Sequence, residues 1–292
     1  MRKRLDPTRT TSLRRAFMAD MLRRIKELKK SIITVIVDLD MFGLMETPNP
    51  LQFNAKKIVL KSSKLAITRR QYEFKTNPEK LEAFKVWMQG QVDAGILEVA
   101  SDRAAWMHTY VNSAYRKGVV RAYADTHKEA LAESTDFYTG SKMQFLSEAF
   151  AAPETMAKIQ MLYTRSYDEL KGFTSQMAQD TSRIVAGGIS NGNAPVKIAK
   201  ELTKQIDTLT KKRALTIART EVIRAHAEGQ LDSFDRMNVK EVGVEAEFST
   251  ANDGAVCAIC SSIEGEIMSV SEARGLIPVH PSCRCSWVPY LK

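Results

Sequence analysis

Two stretches near the end of the chain, Cys257-Ala258-Ile259-Cys260 and His280-Pro281-Ser282-Cys283-Arg284-Cys285, decide how that end folds. They hold all four cysteines of the 292-residue protein, and the first 256 positions contain none. A Cys-x-x-Cys turn places two sulfurs on one side of the chain, and the later histidine and cysteines can complete a tetrahedron around Zn²⁺. The candidate metal ligands are Cys257, Cys260, His280, Cys283 and Cys285.

The spacing of these residues differs from that of a common zinc finger. Twenty-two residues separate Cys260 from Cys283, and the second half is Cys-x-Cys. The residues alone therefore leave three states open, namely structural zinc, reduced structural thiols and disulfides. In the zinc case we expect Cys257, Cys260 and Cys285 to bind, with His280 or Cys283 as the fourth ligand. A closed four-ligand site has no open position for a substrate, so we predict a structural role.

Patterns that would indicate an enzyme are weak in this sequence. A redox role for Cys257 and Cys260 would require the motif to open a helix after a strand in a βαβ unit, whereas here the turn Asn252-Asp253-Gly254 precedes it. The chain has no glycine-rich phosphate loop, no His-Glu-x-x-His and no Gly-x-Ser-x-Gly. We predict that the protein is not an enzyme.

Positive charge is concentrated at the start of the chain. Residues 1–30 contain eleven Lys or Arg against three acidic residues, a net charge of +8. Residues 1–75 together carry a net charge of +11, whereas the remaining 217 residues carry −2, which gives +9 for the whole sequence. Such a segment can neutralise phosphates of nucleic acid or bind an acidic partner, although most charged runs are only solvated helix faces. The predicted residues for non-specific contact with double-stranded DNA are Arg2, Lys3, Arg4, Arg14, Arg15, Arg23 and Arg24.

The apolar pattern predicts a mainly α-helical protein, with an elongated helical body followed by a small α+β C-terminal module that carries the Cys/His cluster. Apolar residues recur at helical spacing from Leu13 to Ile32, which predicts an amphipathic helix with a basic outer face. We divide the chain into a basic helical arm over residues 1–50, a helical body over 51–174 with a short strand near 71–75, and a third domain over 175–292. No apolar stretch reaches the ~20 residues that span a bilayer, so no membrane insertion is expected.

Proline and glycine positions predict where the helices begin and end. We expect one helix from Asn77, with Asn77 as its N-cap, and one from Pro153 to about Gly172. Further helices are predicted over 175–185, from Pro195, and over 211–236. The last of these has a seam of small residues that should pack closely against another element. After residue 238 the alternation of Val242, Val244, Ala246 and Phe248 predicts a strand within a cysteine-rich module over 239–292.

The C-terminal motifs resemble those of a known family. They comprise the run Ile217-Ala218-Arg219-Thr220-Glu221, the Cys-x-x-Cys pair, Glu264-Gly265 and the His-Pro-x-Cys-Arg-Cys ending. Together they are similar to the Mu-F-like minor head proteins, the head morphogenesis proteins of tailed bacteriophages. The resemblance covers about residues 175–292 and departs at Phe248, where a tryptophan is expected before the turn.

The resemblance implies a structural virion protein that assists head morphogenesis. Such a protein would lie inside the capsid near the portal vertex, after assembly in the host cytoplasm, and would bind the portal or the major capsid protein. It would influence DNA packaging or ejection, in keeping with a basic arm that contacts double-stranded DNA. The residues Arg219 and Glu221 are interpreted as fixing their helix against the cysteine module.

Two other functions are considered for this sequence. The first is a zinc-dependent nucleic-acid-binding protein, and the second is an effector or toxin-type enzyme. A fused effector would add residues beyond the cysteine module, and the sequence stops seven residues after Cys285, so we do not expect one.

Overall fold

Long α-helices make up most of the structure, a computed structural model that describes residues 6–40, 76–98, 105–132, 141–238 and 243–291. The eight helices among these residues, together with a small sheet at the C-terminal end, confirm the predicted fold class. The helices are α1 (Thr11–Ile33), α2 (Asn77–Val92), α3 (Ala105–Ala132), α4 (Lys142–Ala151), α5 (Pro153–Ser190), α6 (Pro195–Asn238), α7 (Ala258–Ser262) and α8 (Val270–Ala273). Short π-helical segments, Thr34–Asp38 and Asp93–Leu97, follow α1 and α2.

The residues group into two compact units. Unit 1 comprises Met1–Met18, Trp106–Ser166 and Leu215–Lys292, and unit 2 comprises Ala19–Ala105 and Tyr167–Ala214. Both units are built from pieces that are distant in sequence. The three-part division into arm, body and C-terminal domain stays a prediction.

Two helices are longer than the sequence pattern predicts. The helix α5 continues through Gly172, where an end was expected, because Leu170, Phe173 and Met177 carry its buried face across that glycine. A helical glycine costs only about 1 kcal/mol relative to alanine, which burial of one large apolar side chain offsets. The helix α6 likewise runs from Pro195 to Asn238 as one element, where two were predicted.

Two other local predictions have different outcomes. The N-cap of α2 is Thr76, not Asn77, because the Thr76 hydroxyl accepts from the Glu79 N–H at 3.4 Å while the Glu79 carboxylate accepts from the Thr76 N–H at 3.2 Å. This reciprocal capping box places Pro78 at the second helical position. The strand predicted near residues 71–75 lies outside the described residues.

The apolar stripe of α1 is buried as predicted. Its buried members are Phe17, Met21, Ile25, Leu28 and Ile32, all at most 5% exposed. The basic residues between them lie on the remaining faces, so α1 combines core packing with a charged surface. Removing this helix would therefore remove part of the apolar core.

In unit 1, α3 and α6 cross at a pair of glycines. A Cβ atom at Gly118 would lie 2.0 Å from the carbonyl oxygen of His226, and one at Gly229 would lie 2.2 Å from the carbonyl oxygen of Tyr115. Either distance is far inside van der Waals contact, so only glycine fits. The predicted small-residue seam of α6 is this contact face, on which Ala218 and Ala225 are also buried.

The C-terminal sheet has three antiparallel strands in the order β2-β1-β3, which are β1 (Val244–Ser249), β2 (Ile267–Met268) and β3 (Ser286–Leu291). In β1, Val244, Ala246 and Phe248 face the core, as their alternation predicted. The outer edge of β3 is covered by a side chain of α6. The amide of Gln230 accepts from the Trp287 N–H at 3.2 Å and donates to the Trp287 carbonyl at 2.7 Å.

Candidate metal centre

The Cys-x-x-Cys turn is the start of the short helix α7. Cys257 is its N-cap, and the Cys257 sulfur accepts a hydrogen bond from the Cys260 N–H at 3.4 Å. A backbone donor directed at a sulfur favours the thiolate, which is the form that binds metal. The turn therefore presents the Cys257 sulfur in a ligand-like environment.

The five predicted ligands form two overlapping groups that share Cys260. The first is Cys257, Cys260 and His280, and the second is Cys260, Cys283 and Cys285, with the ligand atoms within each group at most 4.8 Å apart. The Nε2 atom of His280 lies 3.2 Å from the Cys257 sulfur and 3.3 Å from the Cys260 sulfur. In a tetrahedral zinc site a sulfur and a nitrogen ligand lie about 3.6 Å apart. The first group thus has near-ligand spacing, and all four cysteines are free thiols.

The orientation of His280 also fits a metal ligand. Its Nδ1 atom lies 2.9 Å from the carbonyl oxygen of Pro281, and because a carbonyl only accepts, Nδ1 is the donor in this contact. In the neutral ring this leaves Nε2 as the unprotonated nitrogen, directed at the two sulfurs. Metal-binding histidines are held in the same way by a hydrogen bond from their second nitrogen.

The environments of the thiols differ. A hydrogen bond from Cys285 lowers the pKa of Cys283 to about 5, while burial and the nearby Cys283 charge raise the pKa of Cys260 to about 12. The hydrogen bond to Cys283 and burial raise the pKa of Cys285. Burial lowers the pKa of His280, but the Pro281 carbonyl and neighbouring thiolates raise it more, so it is raised overall. The hydrogen bond from the Cys260 N–H also lowers the pKa of Cys257. The cluster thus favours the thiolate at Cys283 and Cys257, and a cation would favour ionisation of Cys260 and Cys285.

Contacts outside the cluster hold its loops in place. The Ser282 N–H donates to the Thr220 hydroxyl on α6 at 3.1 Å, and the Arg284 guanidinium makes two bonds to the Asp253 carboxylate at 2.6 and 2.8 Å. Within the 217–221 run, Thr220 thus contacts the cysteine loop. Its buried neighbour Glu221 accepts from Ser166 on α5 at 2.9 Å.

Residues 179–288 match the family model described as Phage Mu protein F like protein. This part of the chain is similar to that family and is called the Mu-F-like domain. The match confirms the resemblance drawn from the cysteine motifs. No curated protein and no solved structure matches the chain significantly. No helix in the described ranges is both long enough and apolar enough to cross a membrane.

The Mu-F-like domain contains an ionic cluster that sequence reasoning missed. Arg274, next to α8, donates to Asp232 at 2.7 Å, to Asp235 at 2.9 Å and to Glu228 at 3.3 Å, three acidic residues of α6. Asp232 also accepts from Tyr115 at 2.5 Å and Lys158 at 2.6 Å. The spacing of the three acidic residues along α6 was the available signal, but nothing in the sequence identified Arg274 as their partner.

The predicted DNA-binding residues fall into three sets. Arg2, Lys3 and Arg4 lie outside the described residues. Arg14 pairs with Asp6 at 2.6 Å and Arg24 with Glu98 at 2.7 Å, and both side chains are largely buried. Arg15 and Arg23 are exposed, with Arg23 also bonded to Asp20. Among the predicted DNA-binding residues that the structure describes, these two are the exposed ones.

Proposed function

We propose that this protein is a structural component of a tailed-phage head that lies inside the capsid near the portal vertex and assists head morphogenesis. The Mu-F-like match over residues 179–288 carries the proposal. The proposed partners are the portal or the major capsid protein, and the proposed role extends to DNA packaging or ejection. Assembly would take place in the host cytoplasm.

Presence in the particle is the direct test of this function. Mass spectrometry of purified particles of the encoding phage should detect this polypeptide in few copies per head. Chemical cross-linking in intact particles, followed by peptide identification, should join it to the portal or the major capsid protein. Particles that lack the polypeptide would contradict the proposal.

We further propose that the cysteine cluster binds one structural Zn²⁺. The spacing and orientation of His280 support this, together with the four free thiols. Cys257, Cys260 and His280 would be ligands, and Cys283 or Cys285 would complete the set. The ion would supply folding free energy to a module whose longest strand has six residues.

Elemental analysis of protein purified under reducing conditions tests the zinc proposal. The wild-type protein should carry about one zinc per chain. Cys260→Ser should lose it, because Cys260 belongs to both ligand groups. Ser262→Ala, two positions away on the same short helix, is the matched control and should retain the metal.

Two results would count against zinc. Metal-free protein with four free thiols, whose C-terminal module still resists protease, would show that the metal is not needed. Metal-free protein with two disulfides would show that the cysteines stabilise the module as disulfides and not as zinc ligands.

We also propose that the basic N-terminal residues contact double-stranded DNA without sequence preference. Arg2, Lys3 and Arg4, with the exposed Arg15 and Arg23, are the proposed contacts. Since α1 is part of the apolar core, the test is substitution and not deletion. Replacing these five residues by glutamine should weaken binding and make its salt dependence shallower. Unchanged affinity and salt dependence would contradict a DNA role for this segment.

A further inference from the structure

A row of lysines follows one face of the N-terminal half of α6, in unit 2. At 100° per residue, Lys197, Lys200, Lys204 and Lys211 fall within an arc of about 60°. All four are exposed. At 1.5 Å per residue the row extends over about 21 Å of helix. We call these four residues the lysine row.

Three of the four lysines of the row have no ion-pair partner in the described part of unit 2. Within the described ranges, no carboxylate lies within ion-pair distance of Lys200, Lys204 or Lys211. Asp207, the acidic residue beside the row, is occupied by Lys29, whose amino group lies 2.6 Å from both of its oxygens. Glu201 is exposed at the edge of the row and likewise forms no ion pair among these residues.

Acidic residues lie between the lysines of the row at helical spacing. Glu201 is four residues from Lys197 and three from Lys204, and Asp207 is three from Lys204 and four from Lys211. Opposite charges at this spacing stabilise a helix by about 0.2–0.5 kcal/mol per pair when they form an ion pair. Among the described residues, neither Glu201 nor Asp207 forms an ion pair with a lysine of the row. Lys200 and Lys204 are like charges at the same spacing, which destabilises the helix by a similar amount. An external anion would remove this repulsion.

The composition of the row favours nucleic acid over an acidic protein. Protein interfaces are depleted in lysine and are anchored by aromatic and arginine side chains, and the lysine row has neither. Ammonium groups on flexible stems suit a continuous line of phosphates, which gives affinity without requiring fixed geometry.

We propose that the lysine row is a second contact surface for the phosphate backbone of double-stranded DNA, separate from the basic N-terminal residues. The inference rests on the proposed function, because a head protein inside the capsid faces packaged DNA. It adds a surface on the N-terminal half of α6 to a role so far assigned to the N-terminal segment alone.

The test uses full-length protein and a short double-stranded DNA of arbitrary sequence, with affinity measured at several salt concentrations. The triple variant Lys200→Gln, Lys204→Gln and Lys211→Gln should bind more weakly. The slope of log affinity against log salt should fall by about 3, because each phosphate contact contributes roughly 0.9. Glutamine is nearly as good a helix former as lysine, so the helix should persist.

The control variant removes the same net charge elsewhere. Lys85→Gln, Lys128→Gln and Lys142→Gln change exposed lysines on α2, α3 and α4. This variant should retain nearly the wild-type slope. Equal losses in the two triple variants would show that only net charge matters and would overturn the lysine row as a binding surface.

The remaining outcomes separate this inference from the proposed function. If the slope falls only when Arg2, Lys3 and Arg4 are replaced, the row is overturned while the N-terminal contact stands. If the row variant binds DNA normally but enters heads less often, the row contacts protein, and the DNA inference fails. Particle mass spectrometry reports head membership independently of either result.

Discussion

At the scale of single residues, His226 shows how burial fixes a protonation state. The ring lies in the interior of unit 1 and is 1% exposed. Burial, helped by the positive charges of Arg121 and Lys117, lowers its pKa to about 4 against opposing effects of Asp6 and Gln230. The folded protein therefore holds this histidine in its neutral form.

This predicts an acid-sensitive contribution to stability. Above pH 6.5, the ordinary pKa of histidine, the ring is neutral in both the folded and unfolded states. As the pH falls from 6.5 towards 4, only the unfolded state gains the proton, so the free energy of unfolding drops by up to roughly 3 kcal/mol. Chemical denaturation across this range should show a shallower loss in His226→Gln than in the wild type. The same comparison at pH 8 gives the pH-independent cost of the substitution, and parallel curves at all pH values would contradict the prediction.

Asp232 is a second residue whose environment predicts a large effect. Its carboxylate accepts from Tyr115, Lys158 and Arg274, and its side chain is 13% exposed. Asp232→Asn would leave two partly buried cations without their shared partner, at a cost of about 3 kcal/mol in the free energy of unfolding. Asp235→Asn is the control. Its side chain is 57% exposed and makes one ion pair, so it should cost less than about 1 kcal/mol. Both effects are measured by denaturant unfolding. Equal effects of the two substitutions would contradict the conclusion that Asp232 is the main stabilising carboxylate of this ionic cluster.

At the scale of elements, the crossing of α3 and α6 depends on Gly118 and Gly229. A methyl group at either position meets a backbone carbonyl, which cannot rotate away, so the helices must separate. Gly118→Ala and Gly229→Ala should each lower the free energy of unfolding by about 1–3 kcal/mol or more. Gly172→Ala is the matched control on α5, with no atom within 4 Å of its Cβ position, and should stabilise the protein by about 0.5–1 kcal/mol. Thermal unfolding of the three variants tests this assignment. Destabilisation by Gly172→Ala as large as that by the two crossing variants would show that the close approach of α3 and α6 is not the reason.

The elements also show which features a sequence pattern can predict. The period-two alternation identified β1, and the helical spacing identified α1 and the small-residue face of α6. The continuity of α5 through Gly172 was missed because a glycine is only a weak indication of a helix end, and tertiary packing can override it. The N-cap at Thr76 was missed because the proline at 78 favours a start at Asn77 as much as at Thr76.

At the scale of the whole molecule, the proposed metal should stabilise one region selectively. Removing it with a chelator should increase hydrogen exchange over residues 243–291, where strands and helices are short, because metal binding and local folding share one free energy. Exchange in α2, which belongs to unit 2, should change little. Hydrogen exchange with and without chelator checks this, and uniform exchange changes along the chain would contradict a local role for the ion.

The arrangement of the whole chain was only partly predictable. The mainly helical class and the small C-terminal module followed from apolar spacing and from the cysteine motifs. The interleaving of chain segments into two units was not predictable, because it depends on contacts such as Arg274 with Asp232 that link residues far apart in sequence. The five candidate ligands were identified from their residue types, whereas their division into two groups that share Cys260 required the structure.

The hydrogen bonds of the Gln230 amide to the outer edge of β3 affect the tendency of the protein to aggregate at high concentration. An open strand edge is a template on which further chains add by backbone pairing, and crowding promotes such growth. Here the Trp287 peptide is occupied by the Gln230 amide, and Pro289, two positions further along, has no N–H to offer. On the opposite side, β2 is only two residues long. Newly made copies can therefore accumulate at high local concentration with little risk of polymerising into fibrils through this sheet.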